Sequence, residues 1–234
     1  MQMTMPSASL LYLHNVSHGF REAGAWRAVL SGVDLEVRAG EQLALVGQSG
    51  SGKSTLMHLI GGLDVPQSGQ IRFEDTDLAG LGEPRRTLWR RRHVGFIYQF
   101  FNLIPTLTVI ENVLLPLELN GTPEHAGRAA ALALLTEVGL AERAGSYPDR
   151  LSGGEQQRVA IIRALIHQPR LVLADEPTGN LDATSGEQVL DLLDRLVRAQ
   201  GHTLILVTHS AEVARRTDRI VRLVDGRIVP ADGI

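Results

Sequence analysis

The sequence predicts an α/β fold, in which a core of parallel strands carries an antiparallel β region near the N-terminus and an inserted helical segment. Short apolar runs at Gln42–Val46, Leu171–Ala174 and Thr203–Val207 are typical of buried parallel strands, and each is followed by a polar residue or glycine. Ala28–Val37 alternates apolar and polar residues, which predicts an antiparallel strand with one exposed face. From about Gln99 to Gln168 the composition is helical, which predicts the insertion.

The remaining elements follow in chain order. Further strands are predicted at Leu10–Val16, Val94–Tyr98, Ile220–Leu223 and Arg227–Val229. Helices are predicted at Ser54–Leu63, Val109–Leu119, His125–Val138 and Glu155–His167. The last two strands form a hairpin, because the dipeptide Asp225-Gly226 between them is typical of tight turns.

Composition excludes several functional classes. Of the 234 residues, 44% are hydrophobic, which is enough for a buried core, and the net charge of -3 argues against a nucleic-acid partner. The chain has no cysteine, which excludes disulfides, cysteine-ligated zinc and thiol catalysis. No apolar run approaches the ~18 residues of a bilayer span, and no signal peptide is recognisable. A role at a membrane would therefore require docking on another protein.

The chain has one lysine, Lys53, which lies in a glycine-rich run that fits the pattern G-x-x-x-x-G-K-[ST]. Glycines let backbone N–H groups turn toward an anion, and the start of the following helix adds its positive end. We expect Lys53 to reach the β- and γ-phosphates of a nucleotide, Ser54 to bind Mg²⁺ and Thr55 to contact another phosphate. A turn without a ligand is the alternative, but the preceding strand and following helix favour a phosphate loop. The predicted nucleotide-binding residues are Gly47, Gln48, Ser49, Gly50, Ser51, Gly52, Lys53, Ser54 and Thr55.

Two adjacent carboxylates, Asp175 and Glu176, follow the apolar run Leu171–Ala174. Enzymes built on parallel sheets bind ligands at the carboxyl ends of the strands. Asp175 is suited to hold Mg²⁺ through water, and Glu176, whose side chain points the other way, is suited to orient or deprotonate an attacking water. A solvated strand end is the alternative, but the upstream phosphate loop favours a catalytic pair.

A third motif, Leu151–Gln157, lies at the start of a predicted helix. Its Ser152, Gly153 and Gly154 provide a second anion-binding helix end. A chain with one phosphate loop has no obvious need for a second phosphate-binding site. We therefore expect this second site, a phosphate grip, to bind the nucleotide held by another copy of the chain. The alternative is a helix N-cap, in which Ser152 caps and Glu155 completes a capping box. Both hold together, since caps and phosphate grips use the same donors.

With these three motifs, the sequence resembles the ATP-binding cassette (ABC) ATPases over nearly its whole length. The LSGGEQ-type run at Leu151–Gln156 is the most discriminating motif. The resemblance implies a P-loop NTPase (RecA-like) core with an antiparallel β subdomain and an inserted α-helical signature subdomain. It also implies one ABC ATPase domain over residues 1–234, with the helical subdomain at approximately 99–168, and ATP and Mg²⁺ as cofactors.

The resemblance implies roles for further residues. Gln99 matches the Q-loop glutamine, which would contact Mg²⁺ and the attacking water and sense the partner, and Gly179–Asp182 occupies the D-loop position. His209 matches the switch histidine near the γ-phosphate, although a lone histidine after a strand is often incidental. Phe20 stands where the family places an adenine-stacking aromatic residue, and a core phenylalanine is the alternative. The implied catalytic residues are Glu176, His209, Gln99 and Lys53, and the implied metal-binding residues are Ser54, Gln99 and Asp175.

Gln99–Val113 and Asp175–Asp182 resemble the lipoprotein-release and macrolide-export group of this family (LolD-like and MacB-like ATPases). The resemblance implies a homodimeric ATPase, peripheral on the cytoplasmic face of the cell membrane, that drives a permease on a separate chain. We hypothesise that the apolar residues after Gln99 line a groove for a short helix of that permease, and burial within the helical insertion is the alternative. These residues are Phe100, Phe101, Leu103 and Ile104.

Two other functions stay open at this point. A division-type ABC ATPase, a near relative of this group, would regulate cell-wall hydrolysis through a membrane partner. A soluble ABC ATPase of DNA repair or translation would usually carry zinc modules, long coiled coils or two cassettes, and the sequence contains none of these. A non-enzymatic nucleotide-binding scaffold is disfavoured, because all the proposed catalytic side chains are present.

Overall fold

A computed structural model describes residues 9–22 and 25–230. The strands are β1 (Ser9–Glu22), β2 (Ala25–Arg38), β3 (Gln42–Val46), β4 (Ser68–Phe73), β5 (Thr76–Asp77), β6 (Val94–Ile97), β7 (Leu171–Asp175), β8 (Thr203–Thr208), β9 (Arg219–Val224) and β10 (Arg227–Pro230). The α-helices are α1 (Lys53–Ile60), α2 (Glu83–His93), α3 (Val109–Leu119), α4 (Glu124–Glu137), α5 (Gly153–Leu165), α6 (Ala183–Gln200) and α7 (Ala211–Ala214). Two short 3-10 helices, Ala141–Arg143 and Pro148–Arg150, lie between α4 and α5 in the sequence.

The described residues form two compact units. The first contains the chain up to Arg90 and resumes at Thr203, and the second comprises Arg91–His202. The predicted helical subdomain, residues 99–168, falls inside the second unit, and its boundaries stay a prediction.

An antiparallel sheet in the first unit has the strand order β2-β1-β4-β5. β1 continues past its predicted end at Val16, because it stays paired with β2 as far as the Glu22–Ala25 pair. The ladder is irregular between Leu13 and Val16, where Asn15 has a φ of 49°. Such irregularities interrupt the alternation from which a strand is read, so the sequence pattern stops short of the real strand end.

The first unit also contains the parallel strands that position the phosphate loop. β3 lies between β8 and β9 and is parallel to both, with Gln42 opposite Leu204 and Leu43 opposite Arg219. Every residue of β3 and β8 is buried, which explains their continuous apolar sequence. β9 and β10 form the predicted antiparallel hairpin. The α/β fold class and the bounds of β3 are therefore confirmed.

The second unit combines two parallel strands with the four α-helices α3 to α6. β6 and β7 pair in parallel, from Val94 opposite Leu171 to Ile97 opposite Ala174. α3 packs on α4 and α5, and α5 also packs on β6 and α6. α3 has the predicted bounds, whereas α5 begins earlier than predicted, at Gly153, because Ser152 serves as its N-cap.

Two long helices, α2 and α6, are absent from the sequence-based prediction. α6 begins after the Asp182 N-cap and ends at Gly201, which adopts the left-handed conformation common at helix ends. Its buried face is apolar with helical spacing and could have been recognised: Val189, Leu190, Leu192, Leu193, Leu196 and Val197. α2 gives no such pattern, since its buried residues are Arg86 and Trp89.

Candidate nucleotide-binding site

The Lys53 side chain lies across its own loop. Its ammonium group donates hydrogen bonds to the carbonyl oxygens of Gly47 and Gln48, both at 2.8 Å. The Ser51 amide donates to the Gln48 carbonyl over 3.2 Å, which closes the loop as a turn. The positive charge is thereby held within the loop, at the position where a phosphate would bind.

The start of α1 is open to an anion. Gly52 occupies the N-cap with a φ of 103°, a conformation that favours glycine, and among the described residues no side chain caps this helix end. The first turn of α1 has no acidic residue, so its partial positive charge is not neutralised locally. A Cβ at Gly47 would lie 2.5 Å from the Leu223 carbonyl oxygen, so the close approach of β9 requires glycine there.

A cleft of about 950 Å³ opens beside this loop in the first unit. His209 lies at its border, and its proposed role near the γ-phosphate stays a prediction. His209 lies there because of the parallel pairing of β3 with β8: Val46 lies opposite Thr208, so Gly47 and His209 both follow strands that end at the same edge. The cleft is lined by Arg27, Ala28, Val29, Val46, Gly47, Gln48, Ser49, Gly50, Ser51, His209, Ala211, Arg222, Leu223, Val224, Asp225 and Gly226.

The lining also contains two arginines, Arg27 on β2 and Arg222 on β9, that no sequence motif marks as binding residues. Each belongs to a strand without a recognisable motif, and only the folding of β2 and β9 beside the loop places it there. Both add positive charge to a cleft suited to phosphate groups. Gly52, Lys53, Ser54 and Thr55 continue the loop into the first turn of α1.

Phe20 lies on β1 opposite Arg27 of β2. Its ring is 48% exposed and contacts the His18 ring edge to face at a centroid distance of 4.9 Å. The exposure argues against a core role, and the neighbouring Arg27 lines the cleft. Among the described residues that border the cleft, Phe20 itself is not included, so adenine stacking stays a prediction.

The predicted carboxylate pair lies in the second unit, at the end of β7. Asp175 is the last residue of the strand, and both Asp175 and Glu176 are half-buried. Glu176 has a φ of 45°, a left-handed conformation that few residues other than glycine adopt, and its carbonyl accepts the Gly179 amide at 3.0 Å. Such conformations persist where surrounding structure enforces them, often at functional sites.

Gln99 lies two residues after the end of β6 in the same unit and contacts Asn180, in the predicted D-loop. Its Nε2 lies 3.2 Å from Asn180 Oδ1, and Asn180 Nδ2 donates to the Gln99 carbonyl oxygen at 2.9 Å. The second unit therefore brings together Gln99, Asp175 and Glu176 on neighbouring parallel strands. Lys53 and His209 belong to the first unit.

The signature motif forms the N-terminus of α5, and the predicted capping box is confirmed. Ser152 Oγ accepts the Glu155 amide at 3.3 Å, and Glu155 Oε2 accepts the Ser152 amide at 2.8 Å. The Ser152 amide and then the Ser152 hydroxyl lower the pKa of Glu155, while partial burial raises it, so the carboxylate stays charged at neutral pH. Ser152 is exposed and faces solvent, as a grip for a nucleotide on another copy would need.

The ABC transporter family matches residues 30–179, which is more than half of the chain. The chain belongs to the ABC transporter family. An uncharacterised ABC transporter ATP-binding protein of Mycobacterium tuberculosis is 50% identical to it, over 95% of this chain and 90% of that protein. The lipoprotein-releasing system ATP-binding protein LolD of Ruegeria pomeroyi is 55% identical, over 86% of this chain and 88% of its own.

Solved cassettes of the same family share this fold. The ATP-binding cassette MJ0796 superposes with a TM-score of 0.86 at 40% identity, covering 93% of this chain and 96% of that chain. Its structures include a dimer and a post-hydrolysis state with ADP and Pi. The chain is therefore a P-loop ATPase, the nucleotide-binding subunit of an ABC transporter. Within residues 9–22 and 25–230, no helix has the length and apolarity needed to cross a bilayer.

Proposed function

We propose that this ABC ATPase works as a homodimer that drives a separate membrane permease of the lipoprotein-release type. The observation that supports ATP use most directly is the geometry of the Lys53 loop. The Lys53 ammonium group is held inside the loop, and none of the described side chains caps the N-terminus of α1. The choice of group rests on relatives named LolD, which are 46–55% identical to this chain. The role would make the chain a peripheral protein at the cytoplasmic face of the cell membrane.

Nucleotide binding is divided among the motifs of two copies. We assign the phosphates to Lys53 and the amides of its loop, with Arg27 and Arg222 adding charge from the cleft lining. Ser54 and Asp175 would hold Mg²⁺, because each offers a side-chain oxygen, the ligand type that this ion prefers. Two protein ligands are enough, since Mg²⁺ usually keeps several waters. Ser152, Gly153 and Gly154 of a second copy would close over the same nucleotide.

Hydrolysis then depends on how this chain's residues hold one water. Glu176 would accept a proton from the attacking water, and Gln99 would orient that water through its side-chain amide. His209 would donate a hydrogen bond to the γ-phosphate, and Lys53 would stabilise the charge on its oxygens. Mg²⁺, when bound, would neutralise charge on the phosphate oxygens. Closure of two copies would exclude other water.

The segment after Gln99 supports a docking site for the permease. Phe100 is 71% exposed, which is unusual for a large apolar side chain, whereas Phe101, Leu103 and Ile104 are half-buried. We therefore assign direct contact with a permease helix to Phe100 and place the other three as the floor and sides of the groove.

Asn112 holds this segment in shape. It is fully buried, and its Oδ1 accepts the Ile104 amide at 2.7 Å while its Nδ2 donates to the Ile104 and Leu107 carbonyls at 3.1 Å and 3.0 Å. A buried amide with all these bonds satisfied fixes the loop before a partner binds. Preorganisation of this kind lowers the entropy cost of docking.

The proposal is tested by capturing the partner. Tagged Glu176→Gln protein would be incubated with ATP and Mg²⁺ and recovered from detergent-solubilised membranes of its own host. A permease with a large extracytoplasmic domain is the expected companion. Recovery of a division protein would indicate the cell-wall role, and recovery of the homodimer alone would indicate a soluble ABC ATPase.

A second pair of variants tests the docking segment itself. Phe100→Ser should abolish co-purification of the permease, because it removes the most exposed apolar side chain of the segment. Leu88→Ser is the matched control, since Leu88 is 49% exposed on α2, away from Gln99 in the sequence. If both variants recover the permease equally well, the groove lies elsewhere.

A further inference from the structure

One buried side-chain amide of the signature helix α5 contacts the backbone next to two predicted catalytic residues. One contact is just before Gln99, and the other is just after Glu176. Gln157 is fully buried, and its Nε2 donates to the Pro177 carbonyl oxygen at 2.7 Å. The same Nε2 makes a weaker contact to the Tyr98 carbonyl oxygen at 3.5 Å. Pro177 directly follows Glu176, and Tyr98 directly precedes Gln99. One side chain of α5 therefore links the turn after β7 to the end of β6.

A second side chain of α5 holds the chain just beyond Gln99. The Arg163 guanidinium donates to the Asn102 carbonyl at 2.7 Å and to the Phe101 carbonyl at 2.8 Å. Both acceptor residues have left-handed backbones, with φ values of 55° for Phe101 and 50° for Asn102. Two consecutive non-glycine residues in this region are disfavoured by sterics, so charge-assisted bonds to both carbonyls help to hold the conformation.

The Arg163 side chain is half-buried. Burial lowers its pKa, while the nearby Tyr98 hydroxyl acts in the opposite direction. Arginine nevertheless stays charged at neutral pH. A half-buried cation with two carbonyl partners is sensitive to displacement, because loss of either partner removes a charge-assisted hydrogen bond.

The held segment also touches the signature glycines. A Cβ added at Gly153 would lie 3.6 Å from the Phe101 ring and 3.3 Å from a Leu181 methyl group. Phe101 and the D-loop residue Leu181 therefore pack under the start of α5. A shift of the chain after Gln99 would press directly on the motif that is proposed to grip the nucleotide of another copy.

We propose that Gln157 and Arg163 are positioning residues for ATP hydrolysis, which hold Tyr98–Asn102 and the turn after Glu176 on the signature helix. These contacts connect the segments that contain Gln99 and Glu176 to the helix that begins at Gly153. The inference rests on the catalytic roles assigned above to Gln99 and Glu176. Neither positioning residue is assigned a contact with nucleotide; each acts on the placement of residues that have one, and small misplacements of catalytic groups lower rates strongly.

The test separates catalysis from nucleotide binding. The full-length Arg163→Met and Arg163→Lys proteins would be assayed for ATP hydrolysis with Mg²⁺. We expect kcat of Arg163→Met to fall about tenfold, or about 1.4 kcal/mol in barrier height, with KM for ATP changed less than about twofold. Nucleotide affinity should persist because the Lys53 loop belongs to the other unit. Arg163→Lys should restore part of kcat, since an ammonium keeps the charge but not the planar fork.

A direct readout accompanies the kinetics. Amide hydrogen exchange in the peptide that contains Phe101 and Asn102 should accelerate in Arg163→Met and recover partly in Arg163→Lys. Arg195→Met is the matched control: Arg195 lies on α6 in the same unit and donates to the exposed Glu137 at 2.8 Å. It should leave kcat, KM and this exchange rate unchanged.

Three results would overturn the inference. One is an unchanged kcat in folded Arg163→Met. Another is a loss of kcat/KM that is explained wholly by an increase in KM for ATP, which would assign Arg163 to nucleotide affinity. If Arg163→Met does not fold, Gln157→Met decides, and a wild-type kcat there is the third. Failure of the catalytic assignment is distinguishable, because Glu176→Gln would then hydrolyse ATP at the wild-type rate.

Discussion

Gln99 and Asn180 exchange two hydrogen bonds, one through the side chain of each residue and one through the Gln99 backbone carbonyl. The amide of Gln99 also lies so close to Gly179 that a Cβ there would come within 2.8 Å of Nε2. The Q-loop and the D-loop are thus joined directly within one protomer. Any movement of Gln99 must therefore rearrange the loop that contains Asn180.

Asn180→Ala should slow ATP hydrolysis, because it removes both hydrogen bonds that orient Gln99. With roughly 0.5–1.5 kcal/mol for each of the two net hydrogen bonds, or about 1–3 kcal/mol together, we expect kcat to fall at least about fivefold. Steady-state ATPase assays would measure it. Asn120→Ala is the control, since Asn120 Nδ2 binds the Arg91 and Pro116 carbonyls at 2.9 Å, elsewhere in the same unit. Equal rates for the two variants would mean that the contact does not orient Gln99.

Glu176→Gln should bind ATP and fail to hydrolyse it. The substitution keeps the shape and the left-handed backbone position but removes the proton acceptor, which typically contributes about 10²–10⁴ in rate. With hydrolysis blocked, the ATP-bound dimer should accumulate. Size-exclusion chromatography with light scattering, with and without ATP and Mg²⁺, would detect it. A monomer under both conditions would argue against closure around ATP.

Lys53→Arg should disrupt nucleotide binding although the charge is kept. The Lys53 ammonium fits between the Gly47 and Gln48 carbonyls at 2.8 Å from each, and a planar guanidinium is too broad for that position. We expect the dissociation constant for ATP to rise at least about tenfold in isothermal titration calorimetry. Arg85→Lys, at an exposed position of α2, is the reverse exchange and should leave affinity unchanged.

Much of the fold was predictable where one physical signal dominates. β3 was located to the residue because it is buried on both faces and ends in the glycine loop. The start of β1 was located, but its end was not, because the bulge near Asn15 breaks the alternation. α2 was missed because it buries an arginine, which donates to the Leu81 carbonyl at 3.0 Å, in place of an apolar stripe.

The site divides in the same way. Contiguous motifs such as Gly47–Ser54 and Leu151–Gln157 are visible in sequence, since one loop or helix end carries all the donors. Arg27 has no such motif, and it lines the cleft only because β2 folds beside the phosphate loop. The role of Arg163 could not be predicted from the sequence for a related reason. Its partners are backbone carbonyls, which every residue has.

Folding stability should fall as the pH drops below about 6.5, because two histidines are held in their neutral form. Burial lowers the pKa of His202 and of His167 below 6.5, although the hydrogen bonds that their rings donate to the Pro169 and Val94 carbonyls oppose the shift. The unfolded chain then binds more protons, so this stability is complete above pH 6.5 and is lost as the pH falls toward the folded-state values.

Guanidinium unfolding at pH 8, 6.5 and 5.5 would measure the free energy of unfolding. His202→Gln should flatten the dependence, while His58→Gln, at an exposed position, should keep it. Equal stability of the unmodified protein at pH 8 and 5.5 would show that protonation of these histidines does not oppose folding.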